Sequence, residues 1–282
     1  MRLRSLLFVP GDRPDRMEKA AVASGADALI LDLEDAVALT QKDVARTEIG
    51  KFLQRDRQLP VFVRVNPLDS GMTDEDLAAV LPGKPDGIVL PKAEGRTSLK
   101  DLDSKLDWAG AQDVVILPIA TETAAAMFQL GSYGGVTNRL IGLTWGAEDL
   151  PAAIGAVTSR EDDGSYTAPY QVARSLTLFG AHAAGVQAIE TVYPAFKDLD
   201  GLAVYAARGR RDGFTGMMAI HPTQVPVINA AFTPSEAEIE HARSVIAAFA
   251  ANPQAGALSL DGRMIDRPHV KQAERILAAA GE

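Results

Sequence analysis

Ala28-Leu29-Ile30-Leu31-Asp32-Leu33-Glu34-Asp35, a helix-patterned segment over 40–55, and then Val61-Phe62-Val63-Arg64-Val65 decide the fold. The first and last runs are almost unbroken in apolar, largely β-favouring side chains. A strand buried on both faces reads this way, and such strands build parallel sheets covered by helices. The unit recurs. Apolar runs fall at 4–9, 28–33, 61–65, 87–91, 113–119, 139–145, 186–192 and 216–220. Amphipathic or Ala-rich segments separate them, among them 14–24, 40–55, 95–107 and 167–184. Eight β–α units in this length predict an α/β protein of the TIM (β/α)8 barrel type. A doubly wound sheet is the alternative, but no Gly-x-Gly-x-x-Gly follows the first run.

Working outward, the barrel is expected over 1–234 and a C-terminal helical extension over 235–282. The extension reads as a long helix near 235–251, a Pro/Gly/Ser-containing linker and a final helix. It is too short for an independent core and is expected to act as a lid or an arm on a neighbouring subunit. Residues 150–166, rich in turn formers, predict a long loop after the sixth strand, where active-site loops sit. The start of the chain, basic and then apolar over 1–10, reads as a buried first strand rather than a signal peptide.

The chain has 282 residues, with 28 Lys plus Arg against 37 Asp plus Glu, a net charge of −9. That acidic balance argues against a general nucleic-acid binder, which must offset phosphate repulsion. There is no cysteine, which excludes disulfides, thiolate metal sites and cysteine nucleophiles. No apolar stretch approaches the roughly 18–20 residues that span a bilayer. A cytoplasmic protein with no membrane partner is expected.

In a TIM barrel the chemistry gathers at the C-terminal ends of the strands. Strand one runs into Gly11-Asp12-Arg13-Pro14-Asp15-Arg16. Arginines at a helix N-terminus suit a phosphate or pyrophosphate; a capped turn with solvated arginines is the plainer alternative. Strand two delivers Asp32, Glu34 and Asp35, which are costly together without a cation nearby. Strand three delivers Arg64, whose burial demands a carboxylate from the protein or from a ligand, with a substrate anion preferred. Strand four delivers Lys92, either a Schiff-base amine or, as preferred here, the neutraliser of nearby carboxylates. Strands five and six deliver Glu122 and Asp149. Two converging carboxylates without histidine make a hard-oxygen site that suits Mg²⁺. Gly146 and Ala147 are small enough for a ligand to approach the backbone. His221, at the end of strand eight, reads as a structural histidine or a base. Trp108 and Trp145 read as core or pocket wall.

The runs Phe8-Val9-Pro10-Gly11-Asp12-Arg13-Pro14, 31–37, Val63-Arg64-Val65-Asn66, Leu90-Pro91-Lys92-Ala93-Glu94, Trp145-Gly146-Ala147-Glu148-Asp149-Leu150 and Ile220-His221-Pro222-Thr223-Gln224 occur in this order. Together they resemble the citrate lyase β-subunit-like family, the malyl-CoA and citramalyl-CoA lyases of the HpcH/HpaI aldolase superfamily. The resemblance covers essentially the whole chain. It implies a Mg²⁺-dependent carbon–carbon lyase, assembled as a trimer or hexamer, that cleaves a 3-hydroxyacyl-CoA to an acyl-CoA and a 2-keto acid. Glu122 and Asp149 would be the metal ligands. Arg64 would face the reacting carbonyl, and the backbone of Gly146, Ala147, Glu148 and Asp149 would hold the keto-acid carboxylate. Arg13 and Arg16 would meet the CoA phosphates. Asp266, in Met264-Ile265-Asp266-Arg267-Pro268, would reach a neighbouring subunit's site as acid/base. One departure stands out. Where the family reads Glu-Thr-Ala-Arg-Gly, this chain has Glu122-Thr123-Ala124-Ala125-Ala126, which bears on the substrate more than on the reaction. A CoA-independent aldolase of hydroxy-keto acids and a β-subunit of a citrate lyase complex are the alternatives.

Overall fold

A computed structural model describes residues 1–282. Eight parallel strands follow one another around a barrel: β1 (Ser5–Pro10), β2 (Ala28–Asp32), β3 (Val61–Arg64), β4 (Gly87–Leu90), β5 (Val115–Pro118), β6 (Gly142–Thr144), β7 (Gln187–Glu190) and β8 (Gly216–Ala219). Each pairs with its neighbour in sequence, and β1 also pairs with β8. Between β5 and β6 the ladder narrows to parallel bridges, Ile116 to Leu140 and Ile119 to Thr144. The Ala120 N–H donates to Thr144 O at 2.8 Å there and closes the ring. The expected TIM barrel is the observed fold.

The interior is a packed core. Leu6, Ala28, Ile30, Phe62, Val89, Leu117, Ile119, Ile189 and Met218 form one buried cluster, with Phe8 packed against it. Successive side chains of a strand alternate between faces, so residues two apart share one. That rule places Arg64 directly above Phe62 and Asp32 directly above Ile30, at the mouth end of the interior.

The helices of this layer are α1 (Pro14–Ala23), α2 (Lys42–Leu53), α3 (Thr73–Val80), α4 (Arg96–Trp108), α5 (Leu150–Ile154), α6 (Ala168–Ala184), α7 (Leu199–Asp212) and α8 (Gln224–Ala231). The fifth crossover departs from the eight β–α units read from the sequence. It consists of two 3₁₀ turns, Ala126–Phe128 and Leu130–Ser132, with no α-helix. Its alanines favour helix, but Gly131, Gly134 and Gly135 follow within one to two turns, and each glycine costs about 1 kcal/mol in a helix. Trp108 also departs from expectation, being 96% exposed. The buried stripe of α4 is Leu99, Leu102 and Leu106, and position 108 lies about 200° around the helix from Leu106. Trp145 is fully buried, and its indole N–H donates to the buried carboxylate of Glu190.

The chain divides into two compact units, Leu3–Asn229 and Ala230–Glu282 with Met1–Arg2. The division falls within α8, whereas the sequence places it at 234/235. The smaller unit holds α9 (Glu236–Ala251), a hairpin of β9 (Ala257–Leu260) and β10 (Arg263–Asp266), and α10 (Arg267–Ala280). Ser235 and Glu238 close a capping box at the start of α9. Ala242, Val245, Phe249, Ile265 and Ala273 form its core. The hairpin lies where the sequence suggests only a linker, because four-residue strands leave almost no periodicity to read.

Phe62 fills the centre of the barrel, so Phe62→Ala should lower the unfolding free energy by about 3–5 kcal/mol through a cavity that the ring of strands cannot collapse. Urea denaturation followed by Trp145 fluorescence measures it, and an unchanged midpoint would contradict this packing.

Candidate active site at the barrel mouth

The site is built from the ends of β2 to β6. Arg64 leaves β3 pointing up the barrel axis, with its guanidinium carbon 4.8 Å from the Phe8 ring centroid. Its Nε and Nη2 donate to Asp32 Oδ1 and Oδ2 at 2.7 and 2.6 Å, a two-pronged pair. Asp32 is fully buried and also accepts the backbone N–H groups of Glu34 and Ala36, both at 2.9 Å. Protein carboxylates thus meet part of the demand that burial places on Arg64. Burial works against the guanidinium charge, but Asp32 and Glu34 outweigh it and hold Arg64 firmly protonated.

The chain curls around Asp32 and brings Glu34 back over the mouth. Glu34 is 3% exposed. Its Oε1 accepts from Lys92 Nζ at 2.6 Å. Its Oε2 lies 2.8 Å from Arg64 Nη1 but outside hydrogen-bond geometry. Burial raises the Glu34 pKa against the opposing pull of Arg64 and Lys92. Behind this turn, Lys42 donates to Leu33 O, Glu34 O and Asn66 Oδ1 at 2.6, 2.8 and 2.9 Å. Asn66 in turn donates through N and Nδ2 to the buried Asp76, which Arg46 Nε also reaches. Nothing in the sequence separates Lys42 or Asp76 from the surface charges of ordinary helices, and this support was missed.

Lys92 is the hub. Its Nζ lies 3.3 Å from Asp149 Oδ1 as well as beside Glu34. Its backbone takes the left-handed conformation, φ 50°, which is unfavourable by about 1–2 kcal/mol for a residue with a Cβ. In that conformation its N–H donates to Glu122 Oε2 at 2.6 Å. Burial would lower the ammonium pKa, but the Glu34 hydrogen bond and the charges of Glu34, Asp149 and Glu122 raise it well above its ordinary value.

Glu122 is 3% exposed. Burial, together with Glu34 and Asp149, pushes its carboxyl up to about 8, against the pull of the Lys92 backbone N–H and ammonium. Thr121 and Gly146 hold each other through Thr121 Oγ1, which accepts the Gly146 N–H at 3.1 Å and lies 3.2 Å from Gly146 O. A Cβ on Gly146 would sit 2.7 Å from Glu122 Cγ, so only glycine lets the two strand ends meet. Ala147 is buried, Glu148 is exposed, and Asp149 is half-buried at the N-cap of α5.

The structure therefore brings Arg64, Glu122, Gly146 and Asp149 together, and adds Asp32, Glu34 and Lys92. Four carboxylates face two cationic side chains. Arg13 is the N-cap residue of α1 and Arg16 lies in its first turn, just past the end of β1. Both are exposed, and Arg13 pairs with Asp15 at 2.8 Å. His221 is half-buried, with Nδ1 2.7 Å from Thr223 Oγ1 and its ring stacked on Phe196. Asp266 belongs to the C-terminal unit, where it joins β10 to α10.

The family model described as HpcH/HpaI aldolase/citrate lyase matches residues 4–222. The (3S)-malyl-CoA thioesterase of Cereibacter sphaeroides is 35% identical over 286 residues, 98% of this chain and 94% of that protein. The mitochondrial citramalyl-CoA lyase of Homo sapiens is 33% identical over 296 residues, 98% of this chain and 85% of that protein. Among solved structures, CitE from Mycobacterium tuberculosis in complex with magnesium, acetoacetate and coenzyme A matches with a TM-score of 0.82 and 35% identity, over 100% of this chain and 99% of that one. With the match running through every strand of the barrel, this chain belongs to the HpcH/HpaI aldolase/citrate lyase family.

Proposed function

We propose that the chain is a Mg²⁺-dependent carbon–carbon lyase that cleaves a carboxylate-bearing 3-hydroxyacyl-CoA, of the malyl-CoA or citramalyl-CoA type, to an acyl-CoA and glyoxylate or pyruvate. The observation that carries this reading is the uncompensated charge at the barrel mouth. With all four ionised, as a bound cation would make them, Asp32, Glu34, Glu122 and Asp149 outnumber Arg64 and Lys92 by two, which one divalent cation cancels. Glu122, pushed up to about 8, and Glu34 Oε2, buried without a hydrogen bond, are the atoms such a charge would relieve.

The donor set fits Mg²⁺. Glu122 and Asp149 supply carboxylate oxygens only, and no cluster of three or more Asp, Glu, His or Cys side chains is placed to hold a metal. A magnesium ion that keeps its remaining positions for water and substrate oxygens suits two protein ligands. Bound there, it would supply Lewis-acid polarisation of the substrate's hydroxyl and carboxylate oxygens. The solved relative that holds magnesium, acetoacetate and coenzyme A supports the same choice.

The chain's own residues do the rest. Arg64 has five N–H donors. Its bonds to Asp32 and its pairing with Glu34 leave one N–H on each terminal nitrogen for the thioester oxygen, where negative charge develops as the carbon–carbon bond breaks. The held guanidinium needs no reorganisation at that moment. Lys92 has a third proton beyond those directed at Glu34 and Asp149, and presents it to the substrate carboxylate beside the backbone of Gly146 to Asp149. Asp266 of a neighbouring copy protonates the enolate carbon, and removes that proton in the reverse direction. Arg13 and Arg16 take the CoA phosphates at the start of α1. The assembly is a homo-oligomer, trimer or hexamer.

Glu122→Ala and Asp149→Ala should each abolish Mg²⁺-dependent release of keto acid from malyl-CoA, methylmalyl-CoA or citramalyl-CoA and leave the circular dichroism of the fold unchanged. Full turnover in either variant, or in excess chelator, would overturn the metal assignment. Release of keto acid from free hydroxy-keto acids would favour the CoA-independent aldolase, and co-purification with partner subunits would favour the complex subunit.

The pH dependence of stability gives a second prediction. Glu122 has a carboxyl pKa raised from 4.5 to about 8 in the fold. Between those values the folded state holds a proton that the unfolded state has lost, so metal-free stability falls as pH rises. The fall should be at most about 1.4 kcal/mol per pH unit and should level off above the folded value. Glu122→Gln has no such group, so its stability relative to wild type should climb from pH 5 to pH 8. Parallel curves in chelator would refute the buried neutral carboxyl.

A further inference from the structure

Lys42 opens α2, and its side chain is buried behind the barrel mouth. Its Nζ donates to Leu33 O at 2.6 Å, to Glu34 O at 2.8 Å and to Asn66 Oδ1 at 2.9 Å. Three acceptors need three N–H groups, which only the protonated amine has. The acceptors belong to two segments. Leu33 and Glu34 follow β2, and Asn66 stands two residues beyond Arg64, just after β3. Asn66 is itself fixed, because its N and Nδ2 both donate to the buried Asp76 at 2.7 Å. Arg46, one turn along α2 from Lys42, holds Asp76 from the other side at 2.8 Å. The turn after β2 is therefore gripped twice. Asp32 accepts the N–H groups of Glu34 and Ala36, and Lys42 takes the carbonyls of Leu33 and Glu34.

The grip shows in what Glu34 does not do. Its Oε1 takes a hydrogen bond from Lys92 Nζ at 2.6 Å. Its Oε2 lies 2.8 Å from Arg64 Nη1 yet makes no hydrogen bond. A carboxylate free to move would swing onto so close a guanidinium N–H, since a charge-assisted bond is among the strongest open to it. We propose that Lys42 is the positioning residue of the mouth. It holds the Glu34 main chain so that the carboxylate orients Lys92 but stays off the Arg64 N–H groups, which keeps Nη1 open to the thioester oxygen. The inference rests on the roles proposed above for Arg64 and Lys92. No bond forms or breaks at Lys42, so its contribution is geometric. A misplacement of about 1 Å can cost on the order of 100-fold in rate.

The test is steady-state cleavage by the full-length protein, using whichever of malyl-CoA, methylmalyl-CoA and citramalyl-CoA the wild type cleaves. Lys42→Met removes the three N–H groups and keeps the stem. Its kcat should fall on the order of 10- to 100-fold, the range found when an orienting partner is lost. Its KM for the ester and its Mg²⁺ dependence should not change. Lys42→Arg keeps the charge, but a planar fork cannot direct three N–H groups of one nitrogen at three acceptors, so its kcat should fall as well. Wild-type kcat in Lys42→Arg overturns the inference, because charge alone would then suffice. Coupling to Glu34 separates positioning from a role in folding. If Lys42 acts through Glu34, the Lys42→Met/Glu34→Ala protein should be no slower than Glu34→Ala by itself. Losses that multiply overturn the inference. Should Lys42→Met fail to fold, the same cycle with Lys42→Arg decides between these outcomes. Wild-type protein that cleaves none of the esters overturns the lyase reading and this inference with it, whereas an active wild type with undiminished kcat in the Lys42 variants overturns the inference alone.

Discussion

A guanidinium inside a ring of apolar strands needs a carboxylate at contact distance, and the pair of Arg64 with Asp32 meets that need. Desolvating one charge alone is far more costly than desolvating a well-bonded pair. Much of the mouth follows from it. Asp32 must stand at the end of β2, directly above Ile30. The next residues must turn around it so that the N–H groups of Glu34 and Ala36 satisfy its oxygens. That turn delivers Glu34 to Lys92, and Lys42 holds the turn from behind through two of its carbonyls.

The other half of the mouth is arranged with less comfort. Lys92 sits in a backbone conformation that residues with a Cβ avoid, and Glu122 is buried with its carboxyl pKa far above the ordinary range. Strain and desolvated charge of this kind concentrate at functional sites, where the surrounding structure enforces them. The buried Glu190 contrasts with this. Trp145, Tyr205 and Arg174 all hydrogen-bond to it, and it serves to tie β6 and β7 to α6 and α7.

The strands were legible because each is short, apolar and bounded by turn residues, and the helices because most carry a clear buried stripe. The missing helix of the fifth crossover was not, since the alanines of 124–126 carry helix propensity and the glycines at 131, 134 and 135 that oppose it follow them rather than interrupt them. Trp108 and Trp145 show the limit of composition. Both are large and apolar, yet one lies off the buried stripe of its helix and the other lies over a buried carboxylate. Within the candidate site, Arg64 announced itself as a charge in an apolar run. Lys42, Asn66, Asp76 and Arg46 did not, because each belongs by pattern to an unremarkable helix or turn.

The sequence by itself determined the parallel barrel and the family to which the chain belongs. It also determined which residue types reach the strand ends. These depend on local pattern and chain order, which one dimension records. Only the tertiary structure decided the partners: Arg64 against Asp32, Lys92 between Glu34 and Asp149, and Glu122 held by the Lys92 backbone. Those contacts join residues about 30 to 60 positions apart. Their strength depends on burial and on distances of a few ångströms, quantities that exist only once the ring of strands has closed.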